Sequence, residues 1–257
     1  MSFRKIRRNY WLARRLLLKV FVPEFVWPKE VIIGGAPIKV RDTPYTFGTK
    51  LSLVKGNYEL EEIKLLDNAL KANDNVIEMG GSIGVLTRVI SAKLPEGKII
   101  SIEASEKLTA YSKDLLEKNT NTTVINGFGF PVKRLNFNLK VTSFDEHGGS
   151  LGGKLQYERV GEKRNSSSAG DRIFDLERIV SEYQIEPSAL VIDIEGSEKI
   201  ILDISPCFFK TIRVILIELH PNLYGIDTAK LIVSKIEDEG FVLEIELDNV
   251  YLFNRLD

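Results

Sequence analysis

Short apolar segments alternate with helical segments over most of the chain, and this alternation restricts the fold more than any other feature. Val76–Met79 is an apolar run, and apolar residues at helical spacing follow it over residues 85–94. Ile99–Glu103 and residues 124–125 are the next apolar runs, with a second helical pattern between them. Strands that alternate with helices predict an α/β fold with a mostly parallel sheet covered on both faces.

The second half of the chain resumes this pattern and then ends it differently. Residues 190–195 and 213–220 predict two more strands, and residues 227–239 predict a helix. Two final apolar runs flank a turn at residues 248–249, which indicates a closing hairpin with one antiparallel strand at or near the sheet edge.

Two segments fall outside the repeat and divide the chain. Residues 1–55 predict an N-terminal arm made of a basic helix and a hairpin, the latter formed by residues 31–33 and 38–40 around four turn residues. Residues 56–257 form the main domain, in which residues 130–172 predict a β-hairpin insertion with a polar tip at residues 163–170. The insertion either shapes a substrate site or is a plain surface excursion.

The charge of the chain is unevenly distributed. Residues 1–20 hold seven basic residues and no acid, whereas the remainder has 28 basic against 36 acidic residues. The amphipathic helix expected at residues 3–21 either docks on protein or lies on the inner face of an anionic membrane. The net charge of −1 gives no support to nucleic-acid binding. One cysteine and no long apolar run favour a cytoplasmic protein.

A glycine-rich loop follows the first strand of the repeat and predicts a nucleotide cofactor. Gly80, Gly81 and Gly84 surround Ser82, and Glu78 ends the preceding strand. In the dinucleotide fingerprint a glycine would stand where Ser82 is. A carboxylate at Glu78 would repel a pyrophosphate but suits a cofactor with an ammonium and a sulfonium. The loop therefore favours S-adenosylmethionine, with Glu78 and the loop amides holding its amino-acid part.

Residues after the second and third strands are expected to hold the rest of the cofactor. Glu103 ends the second strand, where a carboxylate accepts hydrogen bonds from ribose hydroxyls in both cofactor classes. The backbone at Gly127 and Phe128, after the third strand, is expected to face the adenine.

Four polar residues near the ends of the last parallel strands predict the reaction site. Asp193 and Glu195 lie two apart on one predicted strand, and Glu218 and His220 repeat this spacing on the next. Buried acids on strands are rarely left without partners. His220 is the expected general base by its ordinary pKa, and Asp193 is the alternative. Such a cluster could also hold a divalent cation, but we assign no metal ligand.

The motifs resemble those of the FkbM-type methyltransferases over roughly residues 50–225. The resembling segments are Gly56-Asn-Tyr-Glu59, Val76 to Gly84, Ile102-Glu-Ala104-Ser105, Ile192 to Glu198 and Glu218-Leu-His220. Glutamate replaces the family's usual aspartate at Glu78, Ser82 replaces asparagine and Ala104 replaces proline. The resemblance implies a Rossmann-like, seven-stranded class I methyltransferase fold. It also implies cofactor contacts at Glu59, Ala104, Ser105, Asp193 and Glu195.

The same resemblance implies O-methylation of a small-molecule or glycan hydroxyl, with S-adenosylmethionine as cofactor. Two other functions remain open from the residues. A nicotinamide-dependent sugar oxidoreductase fits Glu103 but not Glu78 or Ser82. A non-catalytic module for a membrane surface or a partner would use the basic arm and a degenerate pocket.

Overall fold

The computed structural model describes residues 22–130, 138–145, 154–160 and 173–256. The basic helix expected at residues 3–21 and the polar tip at residues 163–170 lie outside the described residues. His147, in the predicted insertion, lies outside them as well. The chain divides into two compact units, residues 1–60 and residues 61–257.

The first unit contains the predicted hairpin. Strands β1 (Glu30–Ile33) and β2 (Ala36–Lys39) pair antiparallel around Gly34 and Gly35, which both have positive φ. A two-residue turn of this kind matches the twist of the flanking strands. Residues 36 and 37, which we expected in the turn, therefore belong to β2.

Helix α1 (Phe47–Lys55) completes the described part of this unit and was not predicted. The Thr46 side chain caps its first turn, and the chain leaves it through a left-handed Gly56. Its buried face includes Lys50, which pairs with Glu24 of a short 3-10 helix (Glu24–Val26).

The second unit is built on a seven-stranded sheet, as the alternation predicts. Its strands are β3 (Val76–Met79), β4 (Ile99–Glu103), β5 (Thr122–Asn126), β10 (Ala189–Ile192), β11 (Val214–Glu218), β12 (Phe241–Leu247) and β13 (Val250–Arg255). Their order is β12-β13-β11-β10-β3-β4-β5. Strand β13 alone runs opposite to the other six strands of this sheet, and it lies one position inside the edge. The order reverses between β3 and β10, where ligands bind in open parallel sheets.

Helices accompany these strands, and they include those predicted over residues 85–94, between residues 103 and 124, and over residues 227–239. They are α2 (Leu60–Ala69), α3 (Val85–Lys93), α4 (Glu106–Leu116), α5 (Leu176–Glu182), a 3-10 helix (Glu198–Asp203), α6 (Pro206–Phe209), α7 (Pro221–Tyr224) and α8 (Ile226–Asp238). The largest buried cluster joins one face of the sheet to residues of α5, α8 and the 3-10 helix, such as Ile179, Ile201 and Ile232. The described helices include none long and apolar enough to cross a membrane.

The insertion leaves and re-enters the domain through two short strands. Strands β6 (Phe128–Phe130) and β9 (Ile173–Asp175) pair parallel to each other. Between them along the chain, β7 (Asn138–Asp145) and β8 (Lys154–Val160) pair antiparallel, which confirms the predicted hairpin.

Two strands end earlier than the apolar pattern suggests. Strand β10 stops at Ile192, and Glu195 and Gly196 then adopt positive φ, so Asp193 and Glu195 lie in the following loop. Strand β11 stops at Glu218, and His220 immediately precedes α7. The expectation that each pair shares one face of a strand was therefore wrong.

A buried aspartate ties the amino ends of the central strands together. Asp74 is 4% exposed and accepts hydrogen bonds from the Lys71 amide at 2.6 Å and the Ser188 hydroxyl at 2.7 Å. It also pairs with Arg213, which donates to the Ala69 carbonyl at 2.9 Å. This network lies at the amino ends of β3, β10 and β11, opposite to the ends that carry the predicted site.

Candidate functional site

The glycine loop after β3 is held between its two neighbouring strands. The Gly80 amide donates to the Ile102 carbonyl at 2.8 Å, and the Asp193 amide donates to the Met79 carbonyl at 2.9 Å. Gly80 has φ +92, and a Cβ there would overlap the carbonyl oxygen of Asp193 and lie 2.6 Å from its carbon. Only glycine lets the two backbones approach this closely.

The other two glycines also lie in close quarters within the protein. A Cβ at Gly81 would meet the Ser101 hydroxyl, and one at Gly84 would lie 2.5 Å from the Ser112 hydroxyl of α4; both hydroxyls are side-chain groups that can rotate. Gly84 has φ +84, which favours glycine, and Ser82 lies between the two with φ +48, a conformation that is uncommon for serine. Backbone contact therefore explains Gly80, and backbone conformation explains Gly84.

Glu78 lies beneath this loop rather than on its surface. Its side chain is buried, at 2% exposed, and accepts a hydrogen bond from the Thr87 hydroxyl of α3. Burial raises the pKa of Glu78, while hydrogen bonds from Ser101 and Thr87 oppose the rise. This carboxylate joins α3 to the sheet, and its expected contact with a cofactor remains a prediction.

Glu103 fastens the loop from the neighbouring strand. Its carboxylate accepts the Ser82 amide at 2.9 Å and the Ser105 amide at 2.6 Å. Burial at 6% exposed raises its pKa to about 6, although these amide hydrogen bonds oppose the shift. The structure thus brings Ser82 and Glu103 together, as a shared ligand would require.

The remaining residues expected at the cofactor have roles in the fold. Ser105 caps α4 by accepting the Leu108 amide, and Ala104 packs against the core. The Gly127 amide donates to the Glu103 carbonyl at 2.9 Å, and the Phe128 side chain is buried in the core. Glu59 belongs to the first unit and has φ +49. Their contacts with a cofactor remain predictions.

The four polar residues predicted at the reaction site do come together. His220 Nε2 lies 3.5 Å from Glu195 Oε2, 3.8 Å from Glu218 Oε1 and 4.0 Å from Asp193 Oδ1. Side chains of all four are partly exposed, so a ligand can reach them. Asp193 and Glu195 reach the cluster from the loop after β10. Glu218 is the last residue of β11, and His220 follows in the next loop.

The cluster holds several carboxylates, and their burial and mutual charge shift the pKa values of its residues. Burial, together with the charges of Glu218 and Glu195, raises the pKa of Asp193, and burial raises that of Glu218 to about 7. Burial alone would lower the pKa of His220. The hydrogen bond and charge of Glu198, with the charges of Asp193 and Glu218, outweigh it and raise that pKa to about 9. Among the described residues, no lysine or arginine pairs with these carboxylates.

Three members of the cluster could together hold a metal ion. One ligand atom from each of Asp193, Glu195 and His220 lies within 4.8 Å of the others. Carboxylate oxygens and an imidazole nitrogen suit several divalent cations. Partly exposed acids commonly lie this close without a metal, and we assign none.

Two further acids belong to the cluster and were not predicted as site residues. Glu198 hydrogen-bonds His220 Nδ1 at 3.0 Å, and Glu62 of α2 interacts with Glu218. Glu198 was visible only as the last acid of the motif at residues 193–198. Glu62 lies three and four positions before Leu65 and Leu66, on the buried face of α2. An acidic residue on the apolar face of a predicted helix was the sequence signal that could have identified Glu62.

No protein-family model and no curated protein matches this sequence. Among solved structures, the chain is similar to a TehB-like SAM-dependent methyltransferase from Corynebacterium glutamicum (10% identity, TM-score 0.44, covering 81% of this chain and 95% of that one). It is also similar to precorrin-6y C5,15-methyltransferase from Geobacter metallireducens (16%, TM-score 0.43, 76% and 86%). A third is Aeropyrum pernix fibrillarin with bound S-adenosyl-L-methionine (12%, TM-score 0.41, 72% and 67%). Likeness at this level assigns no activity to this chain.

Proposed function

We propose that this protein is an S-adenosylmethionine-dependent methyltransferase. The observation that carries the proposal is the charge at the carboxyl ends of the central strands. Glu103 fastens the loop after β3, where strand order reverses, and the partly exposed Asp193, Glu195 and Glu218 add further carboxylates after β10 and β11. Such an edge attracts an ammonium and a sulfonium and repels the pyrophosphate of a nicotinamide dinucleotide. The oxidoreductase alternative is therefore less well supported.

The loop residues are proposed to form the wall against which the amino-acid part of the cofactor packs. The amides of Gly80, Gly81, Ser82 and Gly84 already donate to the Ile102 carbonyl, to Glu103 and to the Gly81 carbonyl, so the loop contributes its shape, while Glu78 supports it from below. The Glu103 carboxylate has about four acceptor positions and accepts hydrogen bonds from the Ser82, Ser105 and Ala104 amides. The remaining acceptor position is proposed for a ribose hydroxyl.

The cluster provides the groups for the acceptor. When bound, the cofactor supplies an electrophilic methyl group. A hydroxyl acceptor must lose its proton, and His220 Nε2 is the proposed base, with Asp193 as the alternative. Since the pKa of His220 is raised to about 9, the free protein holds this imidazole protonated at neutral pH. A bound sulfonium opposes the surrounding carboxylates and favours the neutral imidazole that a base requires.

The family and the acceptor are finer proposals that rest on the motifs. The segments from Ile192 to Glu198 and from Glu218 to His220 resemble FkbM-type methyltransferases and point to a sugar or glycan hydroxyl. Transfer of tritiated methyl groups from S-adenosylmethionine to a panel of glycans tests this. Labelling of proteins or RNA with no labelling of glycans would contradict the acceptor class.

Calorimetric titration tests the cofactor. S-adenosylmethionine is expected to bind, and NAD is not; binding of NAD alone would overturn the proposal. Glu103→Ala is expected to weaken S-adenosylmethionine binding at least tenfold, because the loop and the ribose lose their shared acceptor. Glu106→Ala, an exposed acid on the first turn of α4, is the matched control and should leave binding unchanged.

We also propose a cytoplasmic location in which residues 1–21 contact the inner face of the membrane. The uneven charge of the chain supports this, because seven basic residues precede an acidic body. Pelleting with vesicles that contain anionic lipid, with and without residues 1–21, is the test. Equal pelleting of the two proteins would contradict it.

A further inference from the structure

We propose that Glu198 is a positioning residue for His220: its buried carboxylate holds the imidazole as the Nδ1–H tautomer and directs Nε2 toward the acceptor. The tautomer follows from the protein's own contacts. The use of Nε2 as a base rests on the proposed function.

The hydrogen bonds of one carboxylate oxygen determine which nitrogen carries the proton. Glu198 Oε1 accepts the Gly196 amide at 2.8 Å and lies 3.0 Å from His220 Nδ1. As a carboxylate, Glu198 has only acceptor oxygens and no proton to donate. His220 Nδ1 must therefore be the donor, which leaves Nε2 as the nitrogen without a proton in the neutral ring.

The position of Glu198 makes this arrangement rigid. The Glu198 side chain is 0% exposed. Glu198 is also the first residue of the 3-10 helix Glu198–Asp203. In the adjoining turn, Gly196 has φ +98, and a Cβ at this position would lie 2.6 Å from the Leu223 side chain. A buried carboxylate held by its own helix and by the preceding backbone amide is a fixed reference point for the ring.

The backbone of His220 is also held in place. Its amide donates to the Tyr224 hydroxyl at 2.8 Å, and Pro221 begins α7 directly after it. The Tyr224 side chain also hydrogen-bonds Glu198, so Glu198 supports both the ring and the backbone of His220. The ring is thus anchored at its backbone and at Nδ1, and only Nε2 faces the partly exposed carboxylates at 3.5–4.0 Å. A carboxylate on the far nitrogen also raises the basicity of an imidazole and stabilises its protonated form.

The groups that surround His220 come from several elements and all bear on its titration. They are Asp193 and Glu195 after β10, Glu198 on the 3-10 helix, Glu218 on β11, Tyr224 on α7 and, behind Glu218, Glu62 on α2. Removing Glu198 changes the tautomer, whereas removing any of the other carboxylates changes only the charge around Nε2. This difference separates positioning from general electrostatics.

Nitrogen-15 NMR of the full chain tests the tautomer directly. The chain has two histidines, so His147→Gln leaves His220 as the only labelled imidazole. Above the pKa of about 9, the neutral ring is expected to carry its proton on Nδ1. A ring protonated mainly on Nε2 would overturn the proposal.

Two substitutions at Glu198 then separate orientation from charge. Glu198→Gln keeps an oxygen that can accept from Nδ1, so the tautomer should persist while the pKa of His220 falls. Glu198→Ala removes the acceptor, and the Nε2–H tautomer should become substantial. Methyl transfer to the glycan found in the labelling screen should fall about 10–100-fold in Glu198→Ala, as for other supporting carboxylates. Glu198→Asp should recover part of this loss.

Asp74→Asn is the matched control, because it removes a buried carboxylate at the opposite ends of the strands. It should destabilise the protein without changing the tautomer of His220 or turnover per folded molecule. Affinity for S-adenosylmethionine should change less than about twofold in Glu198→Ala. An unchanged tautomer in Glu198→Ala would refute positioning, whereas absence of S-adenosylmethionine binding by the native protein would refute only the proposed function.

Discussion

Gly80→Ala is the substitution whose effect follows most directly from the structure. The added Cβ would overlap the carbonyl oxygen of Asp193, which belongs to the backbone and has no rotamer with which to move away. The positive φ of +92 adds strain for any residue with a side chain. Both effects fall on the junction of β3 and β10, which is also where the cofactor is expected.

The size of the effect can be divided with a matched control. Gly225 has φ +90, and a Cβ there meets nothing within 4 Å. Gly225→Ala therefore carries only backbone strain, about 1–3 kcal/mol, because φ +90 with ψ 151 is a conformation that essentially only glycine adopts. Gly80→Ala carries strain of about 1–2 kcal/mol from its positive φ plus overpacking, which adds about 1–3 kcal/mol. We expect the free energy of unfolding to fall by about 2–5 kcal/mol in Gly80→Ala.

Far-ultraviolet circular dichroism in urea measures both variants. Tryptophan fluorescence would be uninformative here, because both tryptophans lie in the first unit. Hydrogen exchange at the β3 amides locates the loss, and calorimetry should show weaker S-adenosylmethionine binding in Gly80→Ala but not in Gly225→Ala. Equal destabilisation of the two variants would refute the argument that backbone contact dictates Gly80.

Three further predictions follow from the electrostatics. Because the pKa of Glu103 is about 6 in the fold against 4.5, the stability of the native protein relative to Glu103→Gln should fall by about 2 kcal/mol between pH 4 and pH 8, as measured by urea unfolding. Asp74→Asn should cost about 2–4 kcal/mol of unfolding free energy, because it leaves Arg213 without its partner. S-adenosylmethionine should lower the pKa of His220, read by NMR, by about one more than S-adenosylhomocysteine does. A sulfonium bound about 10 Å from the imidazole would contribute about 1.7 kcal/mol at an effective dielectric constant of about 20.

Each of these has a result that contradicts it. The sign for Glu103 follows from its raised pKa: the fold favours the protonated form, so this contribution is present at low pH and lost as pH rises through about 6. A difference that grows with pH would mean that the carboxylate is stabilised as an anion. For Asp74, cofactor affinity should be unchanged, and its loss would link the two ends of the strands. Equal shifts with the two cofactor forms would place the sulfur far from His220.

The fold class was predictable because the spacing of apolar residues within each short segment indicates whether that segment is a strand or a helix. The alternation of strands with helices, the mostly parallel sheet and the closing hairpin follow from that periodicity and from turn residues. Helix α1 was not predicted, because its buried face includes the charged Lys50, whose partner Glu24 lies 26 positions away. A pairing that distant leaves no periodic signal.

The candidate site was predictable in its members but not in their geometry. The alternation from Ile192 to Glu195 reads as a continuing strand, yet positive φ at Glu195 and Gly196 ends it. Left-handed backbone at a glutamate depends on tertiary packing, which local propensity does not encode. Glu78 shows the same limit, since its role as a support under the loop depends on Thr87 from the following helix.

The pairing of β6 with β9 has a consequence for how this chain can change. Residues 131–172 depart from the end of β6 and return at the start of β9, so the two junctions are separated by little more than the length of a three-residue strand, about 10 Å. Any replacement segment long enough to make that crossover leaves the seven-stranded sheet and its loops untouched. The domain can therefore carry segments of different length and sequence at this one position while the sheet that holds the candidate site keeps its structure.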